Sequence, residues 1–388
     1  MAELARKIVR IAKHVLWVTV KSTLGKKNPI SLPINFTSAS SVLVIRPDRL
    51  GDVILSTPVY ESIKKSFPHL QVNVLVNRVN VPVLADNPNI DKIIPFDTLR
   101  SDAWHYLSAL KIQVLTLTLK QGFYFLRQFY FGTPGNIISQ LRRKRFDVVF
   151  TLNKKFSVLS SFLALISKAK YRVGYAHNET AWLYDARMPL DNQHPHESVN
   201  NLELISYVGI TKIMPSPRLY FNGDEEKKIQ GILRTLRKHP ELPMVTFKPG
   251  TRTADQAWKS ENFRTVAEKL SNSGKAEVLF ICGPGDEQLI DQLNEETNLK
   301  VGRLPLLPIK ELALVIKKSD LLFCNHTGIM HIASAVETPL VVIFKHGQTW
   351  RWGPVNTPHI LLEERDSDIL LPETVLESIN QLLKSTLT

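Results

Sequence analysis

Residues 41 to 76 carry the pattern that most restricts the fold. A β-branched apolar run over Ser41–Ile45 ends in a loop holding Pro47 and Gly51, helical spacing follows from Val53 to Phe67 up to Pro68, and a second β-branched run covers Gln71–Val76. Strand, helix and strand at this spacing join parallel strands through a crossover, which places helices on the faces of a sheet. The pattern continues with strands expected at Lys92–Pro95, Asp147–Leu152 and Tyr171–Val173 and a helix at Ser198–Val208. Pro215–Gly223 reads as an extended connector before a charged helix over Asp224–Lys238. A second alternation then begins. Strands at Met244–Lys248, Glu277–Cys282, Leu321–Cys324 and Leu340–Phe344 are interleaved with helices at Glu261–Leu270, Glu287–Glu296 and from Gly328 onward. A chain of 388 residues exceeds what one core sustains. The expectation is α/β, with an N-terminal segment over 1–40, a Rossmann-like domain over 41–215, a linker over 216–223 and a second Rossmann-like domain over 224–388.

Composition is globular, with 44% hydrophobic and 22% charged residues, so disorder is excluded. The net charge of +13 is concentrated. Residues 1–27 hold seven Lys/Arg against Glu3, and residues 111–155 hold nine against Asp147, leaving the remainder near neutral. In the first segment Leu4, Ile8, Ile11, Val15 and Val18 form one stripe, while Arg6, Arg10, Lys13, Trp17 and Lys21 form another. That is a basic amphipathic helix. The second segment mixes Phe123, Tyr124, Phe125, Phe129, Tyr130 and Phe131 with Lys120 and Arg127, and ends in Arg142-Arg143-Lys144-Arg145. Aromatics beside cations suit a lipid headgroup layer, a solvated face packed on the domain, or a single-stranded nucleic acid. The membrane surface is the favoured partner here and nucleic acid is not expected. Cys282 and Cys324 both end apolar runs, which indicates neither a disulfide framework nor a cysteine metal site and fits a reducing compartment. No apolar run approaches a membrane span, and no secretory signal is evident.

Ligands of open α/β sheets bind beyond the carboxyl ends of the strands, so four loops matter. In Arg46-Pro-Asp-Arg-Leu-Gly-Asp52, Gly51 permits a tight turn and Asp52 opens a helix, where the dipole favours a carboxylate. A helix-start acid and a proton acceptor are both consistent with that loop alone. The loop from Lys248 to Lys259 offers Lys248, Arg252 and Lys259 around Gly250 and Thr251, a possible diphosphate cradle. Gly283-Pro-Gly-Asp-Glu287 is a turn whose acid could hold ribose hydroxyls. Cys324-Asn-His-Thr-Gly-Ile-Met-His331 opens a helix with backbone N–H groups at Thr327 and Gly328, an anion site.

Taken in order, these loops resemble the heptosyltransferase family of bacterial lipopolysaccharide synthesis, metal-independent glycosyltransferases of GT-B fold that use ADP-heptose and need no cofactor. The resemblance spans roughly residues 41 to 354. It is carried by Val42–Pro58, the segment 325–331 and Arg351-Trp-Gly-Pro354, with His196-Glu197 and Arg172-Val-Gly174 as further likenesses. It implies two domains facing each other across a cleft, with Asp52 as the general base of an inverting transfer. It further implies donor contacts from Gly51, Lys248, Gly250, Thr251, Arg252, Lys259, Glu287, His326, Thr327, Gly328 and His331. The implied acceptor is a lipid-linked saccharide, and the two basic segments, through Arg6, Arg10, Lys13, Trp17, Lys120 and Arg127, are expected to contact it or the cytoplasmic face of the membrane. Three positions depart from the family pattern. His326 stands where an acid is usual, Gln256 where a lysine is, and Lys345-His346 where a glycine and proline are.

Overall fold

The computed structural model describes residues 30–97, 137–155, 157–177, 181–190, 196–251, 254–295, 301–345, 347–365 and 368–387. The first sheet comprises β1 (Ser41–Arg46), β2 (Gln71–Asn77), β3 (Lys92–Phe96), β4 (Val148–Thr151), β5 (Tyr171–Tyr175) and β6 (Ala186–Met188). The second comprises β7 (Met244–Lys248), β8 (Glu277–Phe280), β9 (Gly302–Arg303), β10 (Leu321–Asn325), β11 (Leu340–Phe344) and β12 (His359–Glu363). Their orders are β3-β2-β1-β4-β5-β6 and β12-β11-β10-β7-β8-β9, with every named pairing parallel. Counted from its own first strand, each sheet therefore has the doubly wound order 3-2-1-4-5-6. The order reverses between β1 and β4 and between β7 and β10, so crevices open beyond β1 and β7.

Central strands covered on both faces must be apolar throughout, and β1, β7, β10 and β11 are almost entirely buried. The core of the first sheet reaches back to Ile34, Phe36 and Ala39, ahead of β1. The last helix, Pro372–Leu387, sends Val375, Ile379, Leu382 and Leu383 into the core of the second sheet.

The expected helix over Val53–Phe67 is two helices, Leu50–Ile54 and Thr57–Ser66. Pro58 lacks an N–H and its ring excludes the carbonyl four residues back, so the helix restarts with Pro58 in its first turn. The hydroxyls of Ser56 and Thr57 donate to the carbonyls of Val53 and Ile54, at 2.7 and 2.8 Å, covering the break. β6, β9 and β12 lay outside the sequence expectation; β6 and β9 have three and two residues, too few to display an alternating pattern.

The connector after Ser206 runs along the helix Thr57–Ser66. Ser66, Ser62 and Thr57 hydroxyls accept from the backbone N–H groups of Lys212, Met214 and Arg218 at 3.1, 2.9 and 3.0 Å. Ile54, Val83 and Leu50 pack in one apolar cluster with Ile329 and Met330 of the second half. The two sheets thus meet across the helices Leu50–Ile54 and Gly328–Ala335.

Candidate active site

β1 ends on Arg46, a guanidinium only 1% exposed. Such a charge is tolerated only when fully partnered. Its Nη2 donates to Asp52 Oδ1 at 3.1 Å and to Glu197 Oε1 at 3.0 Å, Nη1 donates to the Leu152 carbonyl at 2.8 Å, and Nε lies 3.5 Å from Asp48 Oδ2. Asn153 Nδ2 donates to the same Asp48 oxygen at 2.8 Å, and Asn80 Nδ2 to the Asp48 carbonyl at 2.9 Å. The loop is therefore held from β4 and from the turn after β2. Asp52 lies between the buried Gly51 and Val53 in the helix Leu50–Ile54 and keeps 19% of its side chain exposed. Burial pushes its carboxyl up to about 6, against the pull of Arg46 and with a further push from Asp48 and Glu197. At pH 7 it is mostly ionised, poised to accept a proton.

The second half packs closely on the helix that carries this carboxylate. A Cβ placed on Gly51 would lie 2.5 Å from His331 Cδ2, and one on Gly328 would lie 3.2 Å from the Leu50 side chain. Only glycines let the two helices approach this closely. The helix Gly328–Ala335 has Thr327 as its extended N-cap, with no side-chain cap bond and a buried hydroxyl lacking a partner. The Met330 N–H donates to the Thr327 carbonyl at 3.1 Å, while the Gly328 and Ile329 amides have no intrahelical acceptor and are the donors this end offers an anion. Burial lowers His331 to about 3 and His326 to about 4, so both rings are neutral at physiological pH. The His326 ring stacks on Phe344 at 4.2 Å between centroids.

The loop beyond β7 is closed by an internal pair. Lys248 Nζ donates to Asp286 Oδ2 at 2.6 Å and to the Gly250 carbonyl at 2.9 Å, and Asp286 accepts also from the Gly283 N–H. Buried Asn325 accepts from the Trp258 N–H at 3.1 Å and donates to the Pro249 carbonyl at 2.7 Å, tying this loop to the end of β10. Lys345 Nζ donates to the Ala257 carbonyl at 3.2 Å and lies 3.5 Å from Glu364. Among the described residues no group of three or more His, Cys, Asp or Glu side chains gathers as metal ligands would.

A crevice facing a helix N-terminus in each of two doubly wound sheets is shared by several enzyme classes, and the comparisons with known proteins decide among them. The sequence profile of glycosyltransferase family 9 (heptosyltransferase) matches residues 135–384. This chain belongs to glycosyltransferase family 9. It is 24% identical over 335 residues to the lipopolysaccharide core heptosyltransferase OpsX of Haemophilus influenzae, covering 84% of each chain. Its fold superposes on the glycosyl transferase family 9 structure from Veillonella parvula with a TM-score of 0.75 at 20% identity, over 92% of this chain and all of that one. The Escherichia coli ADP-heptose lps heptosyltransferase II gives 0.69 at 19% identity, over 90% and 100%. The family resemblance and the two facing Rossmann-like halves read from the sequence are both confirmed, and the chain is a glycosyltransferase.

Within this family 9 fold the structure brings Gly51, Asp52, Thr327, Gly328 and His331 to one junction. Lys248 is not open to a ligand but bound to Asp286 within its own domain. Lys259 is exposed at the N-cap of the helix Ser260–Asn272, Thr251 is half-buried beside Gly250, and Glu287 opens the helix Glu287–Glu295. Arg252 lies outside the described residues, as do Arg6, Arg10, Lys13, Trp17, Lys120 and Arg127. Sequence reasoning missed Arg46 as the partner of Asp52, Asp286 as the partner of Lys248, and Asn325 as the clamp. A cation within an otherwise apolar strand was the available signal for Arg46.

Proposed function

We propose that this glycosyltransferase moves heptose from ADP-heptose to a hydroxyl of the lipopolysaccharide core or a related lipid-linked saccharide. The observation that carries the reading is Asp52, a carboxylate raised to about 6 and held by Arg46 opposite the bare N-terminus of the helix Gly328–Ala335. Asp52 takes the proton of the acceptor hydroxyl as that oxygen attacks the anomeric carbon, so configuration inverts in a single displacement. The developing charge on the nucleoside diphosphate is met by the first-turn amides and the unpartnered Thr327 hydroxyl, assigned here the role a divalent metal could otherwise fill. Acceptor enters over the first domain (41–215) and donor over the second (224–388), with Thr251, Lys259, Glu287 and His326 on the donor side. ADP-heptose is favoured because the solved relative from E. coli carries it in its name.

The enzyme acts at the inner face of the cytoplasmic membrane in this reading. The two basic segments supply the attraction to anionic lipid, and no helix among the described residues is long and apolar enough to cross a bilayer. Replacement Asp52→Asn is expected to abolish transfer while a thermal-shift assay still shows stabilisation by ADP and not by UDP or GDP. Full transfer by D52N would remove Asp52 from the mechanism. Stabilisation by UDP instead would move the donor to another nucleotide class.

A further inference from the structure

Glu197 is a buried carboxylate, 3% exposed, with two cationic partners from different halves of the protein. Oε1 accepts from Arg46 Nη2 at 3.0 Å, and Oε2 accepts from Arg351 Nη2 at 3.0 Å. Arg46 belongs to β1, whereas Arg351 lies on the short helix Thr349–Trp352 between β11 and β12. The neighbouring residue repeats the contact, since His196 Nε2 donates to the Gly353 carbonyl at 3.0 Å while its Nδ1 lies 2.8 Å from Ser198 Oγ. Arg351 also lies over the Trp352 ring at 4.8 Å, and its Nε is buried without a partner. A guanidinium in that state is held in place by its bond to Glu197.

We propose that Glu197 and Arg351 are positioning residues of the transfer reaction, through which the docked second domain sets the charge that Asp52 feels. The inference rests on Asp52 being the base. Asp52 and Glu197 share one nitrogen of Arg46, at 3.1 and 3.0 Å, which places their oxygens within about 6 Å of each other. At that range a unit charge acts on its neighbour by on the order of one pKa unit in a partly hydrated cleft. The other groups around the pair are Asp48 and Arg49 in the loop, Tyr60 and Tyr175 against Arg46, Glu203 beside Tyr175, and His196, His326 and His331. Burial keeps the three histidines neutral and the tyrosines protonated near pH 7. The charges that remain are Arg46, Arg49 and Arg351 against Asp48, Asp52, Glu197 and Glu203. With the domains docked, Arg351 takes half of Glu197 and leaves Arg46 to Asp52. When Arg351 withdraws, the whole Glu197 charge bears on Arg46 and Asp52, and the cluster binds a proton more readily.

The signs are opposite for the two residues, which gives the test. In pH profiles of kcat/KM, R351M should raise the acid limb by about one unit, and E197Q should lower it by a similar amount. The double variant should match E197Q, because Arg351 acts only through Glu197. R351K, which keeps the charge, should stay near the parent. Infrared difference spectra against D52N in each background, taken without substrate, should show the Asp52 carboxyl titrating with the same displacements. Equal-sign shifts, or a fall in kcat with an unmoved acid limb and unmoved carboxyl band, would overturn the relay. If D52N itself retained transfer, the base assignment alone would fall and the spectra would still judge the relay. Should R351M fail to fold, a lowered acid limb in E197Q with R351K unmoved supports the relay, and a raised or unmoved limb in E197Q overturns it.

Discussion

Asp52→Asn is expected to make the protein inactive and more stable at once, and the pH dependence of the gain is its signature. The carboxyl rises from 3.8 to about 6 on folding, because burial penalises the ionised form more than Arg46 supports it. Two units correspond to about 3 kcal/mol against the folded state wherever Asp52 is ionised in both states. The side chain retains 19% of its exposure, so water recovers part of that penalty and roughly 1–3 kcal/mol is the working figure. The sign follows from the raised folded value. Below about 4 both states hold the proton and nothing is lost. Between 4 and 6 the unfolded chain releases its proton first, and above about 6.5 the penalty is complete. Asparagine keeps an oxygen for Arg46 Nη2 and carries no charge. The stability difference between D52N and the parent, read from denaturant midpoints at several pH values, should be near zero at pH 4 and reach its plateau by pH 7. Transfer should meanwhile fall by about 10²–10⁴. A variant less stable than the parent at pH 7.5, or a gap indifferent to pH, would show that the Arg46 pair outweighs burial and refute the account.

The acid limb of kcat/KM in the parent should lie near 6, where Asp52 gains its proton, and an unperturbed carboxylate limb near 4 would contradict this. Gly51→Ala should separate the helices Leu50–Ile54 and Gly328–Ala335, because its Cβ would meet His331 at 2.5 Å. Transfer should drop by more than tenfold while circular dichroism is unchanged, and normal turnover would mean the junction opens freely. Asn325→Leu strands the Trp258 N–H and the Pro249 carbonyl, both in buried surroundings, and should cost about 2–4 kcal/mol in chemical denaturation. Lys248→Met leaves Asp286 without its cation and should destabilise by roughly 2–4 kcal/mol, much of it recovered in the double variant with Asp286→Leu. Equal losses in the single and double variants would assign Lys248 a role beyond this pair.

How much of the site was legible in the sequence can be followed residue by residue. Gly51 and Asp52 were visible as a tight turn and a helix-start acid, with the base role coming only from the family resemblance, and Thr327-Gly328 because a helix start after a buried strand leaves amides without intrahelical acceptors. Lys248 was visible as a cation but not as a partnered one, since Asp286 lies 38 residues further along. Arg46 was read only as the first residue of the loop that ends at Asp52. Its bonds to Leu152 and Glu197 span 106 and 151 residues, beyond any local pattern.

The sequence by itself determined the two parallel sheets, the loops beyond their strands and the family to which the chain belongs. Period, breakers and loop residues act within a turn or a strand, so they survive in one dimension. The tertiary structure alone decided which charges are neutralised by which, where the helix before Pro58 breaks, and how closely Gly51 approaches His331. Those outcomes depend on distance in space and on exclusion of water. Folding raises the Asp52 carboxyl to about 6 by burying it, and Arg46, delivered by β1, opposes that rise.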